Sequence, residues 1–434
     1  MASNNIQAPR GTKDILPADS KKWQEIERAV REVAELFSYD EIRTPMFEQA
    51  KLFKRSVGEE TDIVSKEMYL FNDKGGEELS LRPELTAPVV RAAIENNLIT
   101  GQAPFAKLYY NSAPSFRYEK PQLGRQRQFH QFGTELLGPA GPEADAETIS
   151  FAIAVYQKLG ITGFQVRLNS LASRDARAEW REKLVTYLRQ HLANLSEESR
   201  KRTETNPMRV LDSKDHGDRE IIRNAPTILD YLTPEDKEHF DTVQSLLRMT
   251  GVEFVIDPFL VRGLDYYSRT VFEVTSTALG AQDALCGGGR YDYLIEQLGG
   301  QPTPAVGFGA GVERVLIVLD KLRGAAEAQS ASGIYVIAQT PEARAKAFGL
   351  TQELRGVGYP ASHDLQGKSF KAQMRDANRM QVRTVVILGE EELALGEVTL
   401  KDMVLGTQSR VALSDASGAI KGMLSQVALT DQAS

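Results

Sequence analysis

The chain reads as an α+β unit built on an antiparallel sheet, interrupted by a helical insertion and followed by a small α/β domain. Three observations carry this expectation. Short strand-like runs separated by turn signals fill residues 67–137 and resume at Phe259. Between them, from about Ser173 to Pro258, the sequence turns charged and helical, as in RDARAEWREKLVTYLRQHL. After a small, polar stretch at 325–333, strand and helix patterns alternate to the end, the mark of an α/β domain.

Taken in order, Trp23, Ile26, Val30, Val33 and Phe37 recur at steps of three and four, which predicts an amphipathic helix with one buried face. EMYLFN and EELSLR flank Asp73-Lys74-Gly75-Gly76 and predict a hairpin. In SFRYEKPQLGRQRQFHQFGTE, two strand-like arms enclose a basic loop, Lys120 to Gln126. Alternation places Arg117 and Glu119 on one face with Phe129, Gln131 and Glu135, and Phe116, Tyr118, Phe132 and Leu136 on a core-facing side. Val312, Val315, Leu316 and Leu319 predict a helix that closes the larger unit near residue 324. The last domain, 334–434, begins with IYVIAQ as strand and Thr340-Pro341-Glu342 as a helix start.

Composition narrows the function. With 434 residues and a net charge of -7, the chain has room for two or three domains but no general basic coat for nucleic acid. RNA contact is therefore expected only locally. One cysteine, Cys286, excludes an internal disulfide framework, and the five histidines show no metal-ligand spacing, so no protein-held metal is expected. The amino terminus lacks a signal-like apolar run and no eighteen-residue apolar stretch occurs, which points to a soluble, cytoplasmic protein without a membrane segment.

Several motifs admit ordinary structural readings. Glu84 and Thr86 precede an apolar run as a helix start would. GFGAG lacks the third glycine of a dinucleotide fingerprint, and GGGR lacks the lysine-serine pair of a phosphate loop; three glycines at 287–289 fit a tight turn or a close backbone approach. Lys368, Lys371, Arg375 and Arg379 form a basic stripe opposite Phe370, Met374 and Ala377, either a solvated face or a phosphate footprint. RGLDYYSRTVFEV, from Arg262, is too polar for ordinary core.

Together, EIRTPMFE with Pro45, FRYEKPQLGRQRQFHQFGTE and GFGAGVERVLIVL with Arg314 resemble, in order, the three motifs of class II aminoacyl-tRNA synthetases; RGLDYY and GGGRYD resemble signatures of the histidyl branch. The resemblance covers nearly the whole chain. It implies that histidine and ATP give histidyl-adenylate, and that tRNA(His) then accepts the histidyl group, with Mg2+ accompanying ATP and no tightly bound cofactor. Arg117 and Arg262 would act at the α-phosphate and histidine carboxylate, where a permanently charged guanidinium suits the developing charge. Glu119 and Phe129 would hold adenine, and Arg125 and Arg314 the outer phosphates. Glu84, Thr86 and Gln131 would receive the α-amino group, and Glu135, Tyr267 and Tyr291 would address the imidazole, with Tyr266 also in the histidine site. Polar matching of this kind makes an editing domain unnecessary.

The resemblance further implies a homodimer, contacts from Lys120 and Gln122 to the acceptor end, an insertion at 173–258 around the acceptor arm, and anticodon binding by the last domain. The chain departs from the usual bacterial pattern at Leu85, where glycine is common, and at Lys120, where arginine is common. The alternative is a non-catalytic synthetase-like regulatory subunit of histidine biosynthesis. Such paralogues lack the last domain and lose catalytic arginines, whereas Arg117, Arg262 and Arg314 are present here.

Overall fold

The runs on either side of the basic loop pair with each other, and the sheet grows outward from them. In chain order the strands are β1 (Asp40–Glu41), β2 (Phe47–Gln49), β3 (Tyr69–Asn72), β4 (Glu78–Leu81), β5 (Ala106–Phe116), β6 (Gln128–Leu137), β7 (Phe164–Ser170), β8 (Phe254–Ile256), β9 (Ser268–Ser276), β10 (Ala284–Arg290) and β11 (Ala305–Gly311). Eight of them form one sheet in the order β1-β5-β6-β11-β10-β9-β7-β8; β2, β4 and β3 form a separate three-stranded sheet. The centre of the large sheet is antiparallel, while β1 and β8 at the two edges pair in parallel with β5 and β7. The structure is a computed structural model that describes residues 6–58, 61–280, 284–324 and 333–430. The expected linker lies almost wholly outside the described residues.

The predicted first helix spans Pro17–Phe37 and buries Trp23, Ile26, Val30 and Val33. It packs with the helices Pro142–Lys158 and Val312–Arg323 in a core that holds Phe132, Phe272 and Phe308 of the sheet. A second core joins the helix Thr86–Glu95 to Trp180, Leu184 and Leu188 of the helix Arg174–Gln190 and to Tyr266, Tyr267 and Tyr291. The helical segment thus shares the packing that surrounds the tyrosines.

The segment 173–258, read as an insertion inside the larger unit, contributes its last helix and strand to the sheet side: the helix Pro234–Met249 buries Phe240, Val243 and Leu247 against the first core, and β8 completes the sheet. A charged helix with one apolar stripe looks the same in sequence whether it packs on a neighbour or on the parent sheet. Tyr118 departs from its expected core-facing side and is exposed, because the β5–β6 ladder stops at Phe116 and Gln128 and alternation ends with it. The Arg127 guanidinium lies 4.0 Å over its ring instead.

The chain divides into two compact units, Met1–Gly324 and Ala325–Ser434. The second contains β12 (Ile334–Ala338), β13 (Ala361–His363), β14 (Thr384–Leu388), β15 (Glu397–Asp402) and β16 (Gln408–Ala412), in the order β13-β12-β14-β15-β16. Ala377 is buried and Met374 packs on the core, but Phe370 is exposed. The place expected for Phe370 is taken by Gln373, whose amide accepts from Ala338 N–H (3.1 Å) and donates to the carbonyls of Ala338 (2.8 Å) and Lys368 (2.7 Å). A polar residue is buried there because the end of a strand leaves main-chain groups to satisfy. Among the described residues, no helix is long and apolar enough to cross a membrane.

Candidate active site

The floor of the site is a patch of glycine on β10 and β11. Gly287, Gly288 and Gly289 pair with Gly309, Phe308 and Gly307 across the ladder. Glycine in a strand usually costs stability, so its concentration needs a cause. A Cβ on Gly287 would overlap the Arg262 guanidinium, one on Gly307 the Glu135 carboxylate, and one on Gly309 would approach the Gln131 amide to 2.8 Å. The missing side chains let three long polar groups lie flat on the sheet. This is the close-approach reading of the glycine run, achieved within a strand rather than a turn.

Above this floor opens a cavity of about 210 Å3, lined among others by Arg117, Glu119, Arg125, Phe129, Gln131, Arg262 and Arg314. Arg117 donates through Nε to the Pro83 carbonyl at 2.8 Å and sits 5.5 Å from the Phe129 ring centroid. Arg262 Nη1 bonds Glu273 at 3.0 Å, and its guanidinium lies over the Tyr267 ring. Arg125 Nε is 2.7 Å from Glu119. Arg314 donates to the carbonyls of Gly124 (3.2 Å) and Ala284 (2.6 Å). Each arginine is anchored to a main-chain carbonyl or a carboxylate, and together they give the cavity an electropositive wall.

Beside the cavity lies a buried polar cluster. Glu135, on β6 opposite Gly307, accepts from Thr86 Oγ1 at 2.7 Å and from the Tyr291 hydroxyl. Tyr110 Oη lies 3.5 Å from the same carboxyl and donates to the Phe308 carbonyl at 3.0 Å. Burial pushes the Glu135 carboxyl up to about 8, and the neighbouring Glu84 charge adds to it, against the pull of the Tyr291, Thr86 and Tyr110 hydrogen bonds. Glu84 accepts from the amides of Thr86 (2.6 Å) and Ala87 (2.9 Å), the expected helix-start arrangement, and burial raises its carboxyl too. Tyr266 packs tilted against Tyr267 and edge-on against Tyr291, with ring centroids 4.8 and 5.7 Å away. Leu85 is buried in the same core as the tyrosines.

The structure therefore gathers thirteen chosen residues around one floor, seven on the cavity and six in the cluster: Glu84, Thr86, Glu135, Tyr266, Tyr267 and Tyr291. Lys120 and Gln122 stand outside it, exposed on the basic loop, where Gln122 and Arg125 form a small bridge. Lys368, Lys371, Arg375 and Arg379 lie on the other unit; Asp376 holds Lys368 at 2.6 Å and Arg379 at 2.9 Å, while Lys371 and Arg375 are exposed. Burial pushes the Cys286 thiol up to about 12, which agrees with a packed, unreactive residue.

Three participants escaped the sequence reading. Tyr110 is one; its signal was Gly133, a strand glycine whose Cβ would meet the Tyr110 ring. Glu313 is another: its carboxylate accepts the His130 amide at 3.1 Å and faces His130 Nδ1 at 2.9 Å, pinning the start of the Arg314 helix to β6. Gly11, at φ +86°, accepts from Arg127 N–H at 2.7 Å and so ties the amino-terminal segment to the base of the basic loop.

An antiparallel sheet carrying an arginine-lined cavity, with a separate five-stranded α/β unit after it, is the architecture of the class II aminoacyl-tRNA synthetases. The profile described as Histidyl-tRNA synthetase matches residues 11–315, and that described as Anticodon binding domain matches residues 333–423. A histidine–tRNA ligase from Chloroherpeton thalassium is 51% identical over 414 residues, covering 95% of this chain and 96% of its own. Apo histidyl-tRNA synthetase from S. aureus superposes with a TM-score of 0.80 at 34% identity, over 96% of this chain and 99% of that one. A Bacillus halodurans structure described as an ATP phosphoribosyltransferase regulatory subunit/histidyl-tRNA synthetase shares the fold at 24% identity, with a TM-score of 0.64 over 88% of this chain and 98% of its own. The chain belongs to the histidyl-tRNA synthetase family. Full-length similarity to ligases favours the ligase reading over the regulatory-subunit alternative.

Proposed function

We propose that this chain activates histidine with ATP and transfers the histidyl group to tRNA(His). The observation that carries the reading is the junction of two environments on one glycine floor: a buried carboxyl–hydroxyl cluster suited to a small polar side chain, and beside it a cavity walled by arginines.

In the first step a histidine carboxylate oxygen forms a bond to the α-phosphorus and the bond to pyrophosphate breaks. Arg262 and Arg117 flank the place where charge gathers on the five-coordinate phosphorus, and their main-chain and Glu273 anchors fix them before substrate arrives. Phe129 offers its ring to adenine, Glu119 an acceptor to the adenine amino group, and Arg125 and Arg314 donors to the outer phosphates. Arg125 exchanges its bond to Glu119 for one to phosphate as ATP enters. Glu84, Thr86 and Gln131 bind the α-amino group; Gln131 is held by Ser115 Oγ at 3.2 Å. Glu135 and Tyr291 address the imidazole, with Tyr266 and Tyr267 walling the pocket. Mg2+ accompanying ATP would be held mainly by phosphate oxygens, with Glu119 and Glu313 the carboxylates on the cavity wall and no group of three metal-binding side chains converging among the described residues. In the second step the 3'-terminal ribose hydroxyl attacks the acyl carbon and AMP leaves.

Lys120 and Gln122 on the exposed loop would meet the acceptor end, the helices between Arg174 and Ile222 the acceptor arm, and Lys371 and Arg375, with Lys368 and Arg379, the anticodon. The reading includes a cytoplasmic homodimer; on the small β2–β4–β3 sheet Phe47 and Phe71 are exposed with ring centroids 6.4 Å apart and offer an apolar face for a second copy. The test is histidylation of tRNA(His) by the purified chain, with ATP consumed stoichiometrically. Failure to charge tRNA(His) under conditions that support histidyl-adenylate formation would remove the transfer half of the proposal.

A further inference from the structure

Arg290 is one of the largest fully buried side chains of the unit, and every donor of its guanidinium is used. Nε faces both Asp145 oxygens at 3.2 and 3.1 Å; Nη1 donates to the Pro139 carbonyl at 3.0 Å and to Asp292 Oδ1 at 3.2 Å; Nη2 donates to the Gly141 carbonyl at 2.9 Å and to Asp145. Burying a charge pair costs desolvation, and apolar packing of similar volume commonly serves stability as well or better. Stability alone gives no reason for such a network here.

Its position suggests another role. Arg290 and Asp292 bracket Tyr291 in sequence. Asp292 Oδ2 accepts from Ser268 Oγ at 3.2 Å, and Ser268 Oγ in turn accepts the Asp292 amide at 3.1 Å. Ser268 directly follows Tyr267. The β9–β10 ladder shifts register between Gly289 and Arg290, pairing Arg290 with Ser268, so regular strand pairing does not by itself fix the two tyrosines. The Tyr291 amide donates to the Ala305 carbonyl at 2.7 Å, and its hydroxyl reaches Glu135. Through this chain of contacts the buried ion pair is linked to the far side of the amino-acid pocket.

We propose that Arg290, Asp292 and Ser268 form a brace that positions Tyr291 and Tyr267, and through Tyr291 the Glu135 carboxyl, for amino-acid recognition. They are positioning residues and do not touch substrate. The inference rests on the histidine-binding reading of those tyrosines. A loosened brace moves the imidazole contacts and leaves the adenine side, Phe129 and Glu119 on and after the other strands, where it was.

The experiment is histidine-dependent ATP–pyrophosphate exchange by the full chain carrying Asp292→Asn or Ser268→Ala, with KM for histidine, KM for ATP, kcat and Tm measured for each. The expected result is a rise in KM for histidine of about ten-fold for Asp292→Asn, less for Ser268→Ala, with KM for ATP and Tm close to those of the unmodified chain. Parallel changes in the two KM values, or no change in either, would overturn the inference. If Asp292→Asn folds poorly, the Ser268→Ala split decides alone. The unmodified chain separates the two failures: no exchange with histidine defeats the functional reading itself, whereas normal exchange without a split in the variants defeats only the brace.

Discussion

On one side of the glycine floor, buried Glu135 accepts from Tyr291 and Thr86, both buried with it; on the other, Arg125 is 41% exposed and bonded to Glu119. The difference fits what each side is proposed to distinguish. A neutral polar side chain is recognised by a few hydrogen bonds whose value depends on excluding water and on fixed geometry, so the recognising groups must be buried and held before the ligand arrives. A triphosphate brings its own large charge, and donors that remain partly hydrated can trade a carboxylate or carbonyl partner for a phosphate oxygen at low cost. On the proposed function, the amino-acid side is preorganised by its neighbours, and the nucleotide side keeps an exchangeable ion pair between Arg125 and Glu119.

The largest expected effect falls where the two sides meet. Arg262→Ala should lower kcat of histidine activation by roughly 10²–10³, the scale of removing one preorganised charge-stabilising donor, with a much smaller change in histidine affinity. Equal losses in both would place Arg262 on the binding side alone. A smaller version of the same defect is expected from Gly287→Ala. Its Cβ displaces the tip of a flexible guanidinium rather than backbone, so activity should fall by about ten-fold or more while Tm changes little. A large fall in Tm would show the floor to be structural rather than a cradle for Arg262.

The buried side has a signature in pH. Because folding raises the Glu135 carboxyl to about 8, the folded chain holds a proton that the unfolded chain releases above the ordinary carboxylate range, so this residue's contribution to stability falls as pH rises toward 8. Glu135→Gln removes that proton linkage. Ligand-free Tm of the variant should match the original near pH 5 and exceed it progressively toward pH 8; a difference independent of pH contradicts the buried-carboxyl account. The smallest effects belong to the second unit. Lys371→Ala or Arg375→Ala should each raise KM for tRNA about three- to ten-fold without altering pyrophosphate exchange, and Lys368→Ala less, because Asp376 already neutralises it. Comparable effects from all three would show that Asp376 does not hold Lys368 back.

The sequence was most readable where chemistry demands rare combinations. Arg117, Arg262, Arg314 and the paired tyrosines stand in ordered motifs, and the helix at Pro17–Phe37 announces itself by spacing. What it hid were partners that look ordinary in one dimension. Tyr110 reads as one more aromatic in FAKLYYNSA; only the ladder shows it opposite Gly133 and beside Glu135. Glu313 reads as a helix-start acid, and its grip on His130, 183 residues earlier, is a tertiary fact. Tyr118 and Phe370 were misplaced because alternation and helical spacing hold only within an element, and both residues sit at or past an element's end. β8 was hidden for a related reason: it has three residues, too few to announce a strand.

The most direct test of the account is amino-acid-dependent ATP–pyrophosphate exchange by the purified chain, comparing histidine with proline, threonine, serine and glycine. A cluster built around Glu135 and Tyr291 for an imidazole predicts exchange with histidine alone. Exchange with another of these amino acids, or none with any by the folded chain, would contradict it.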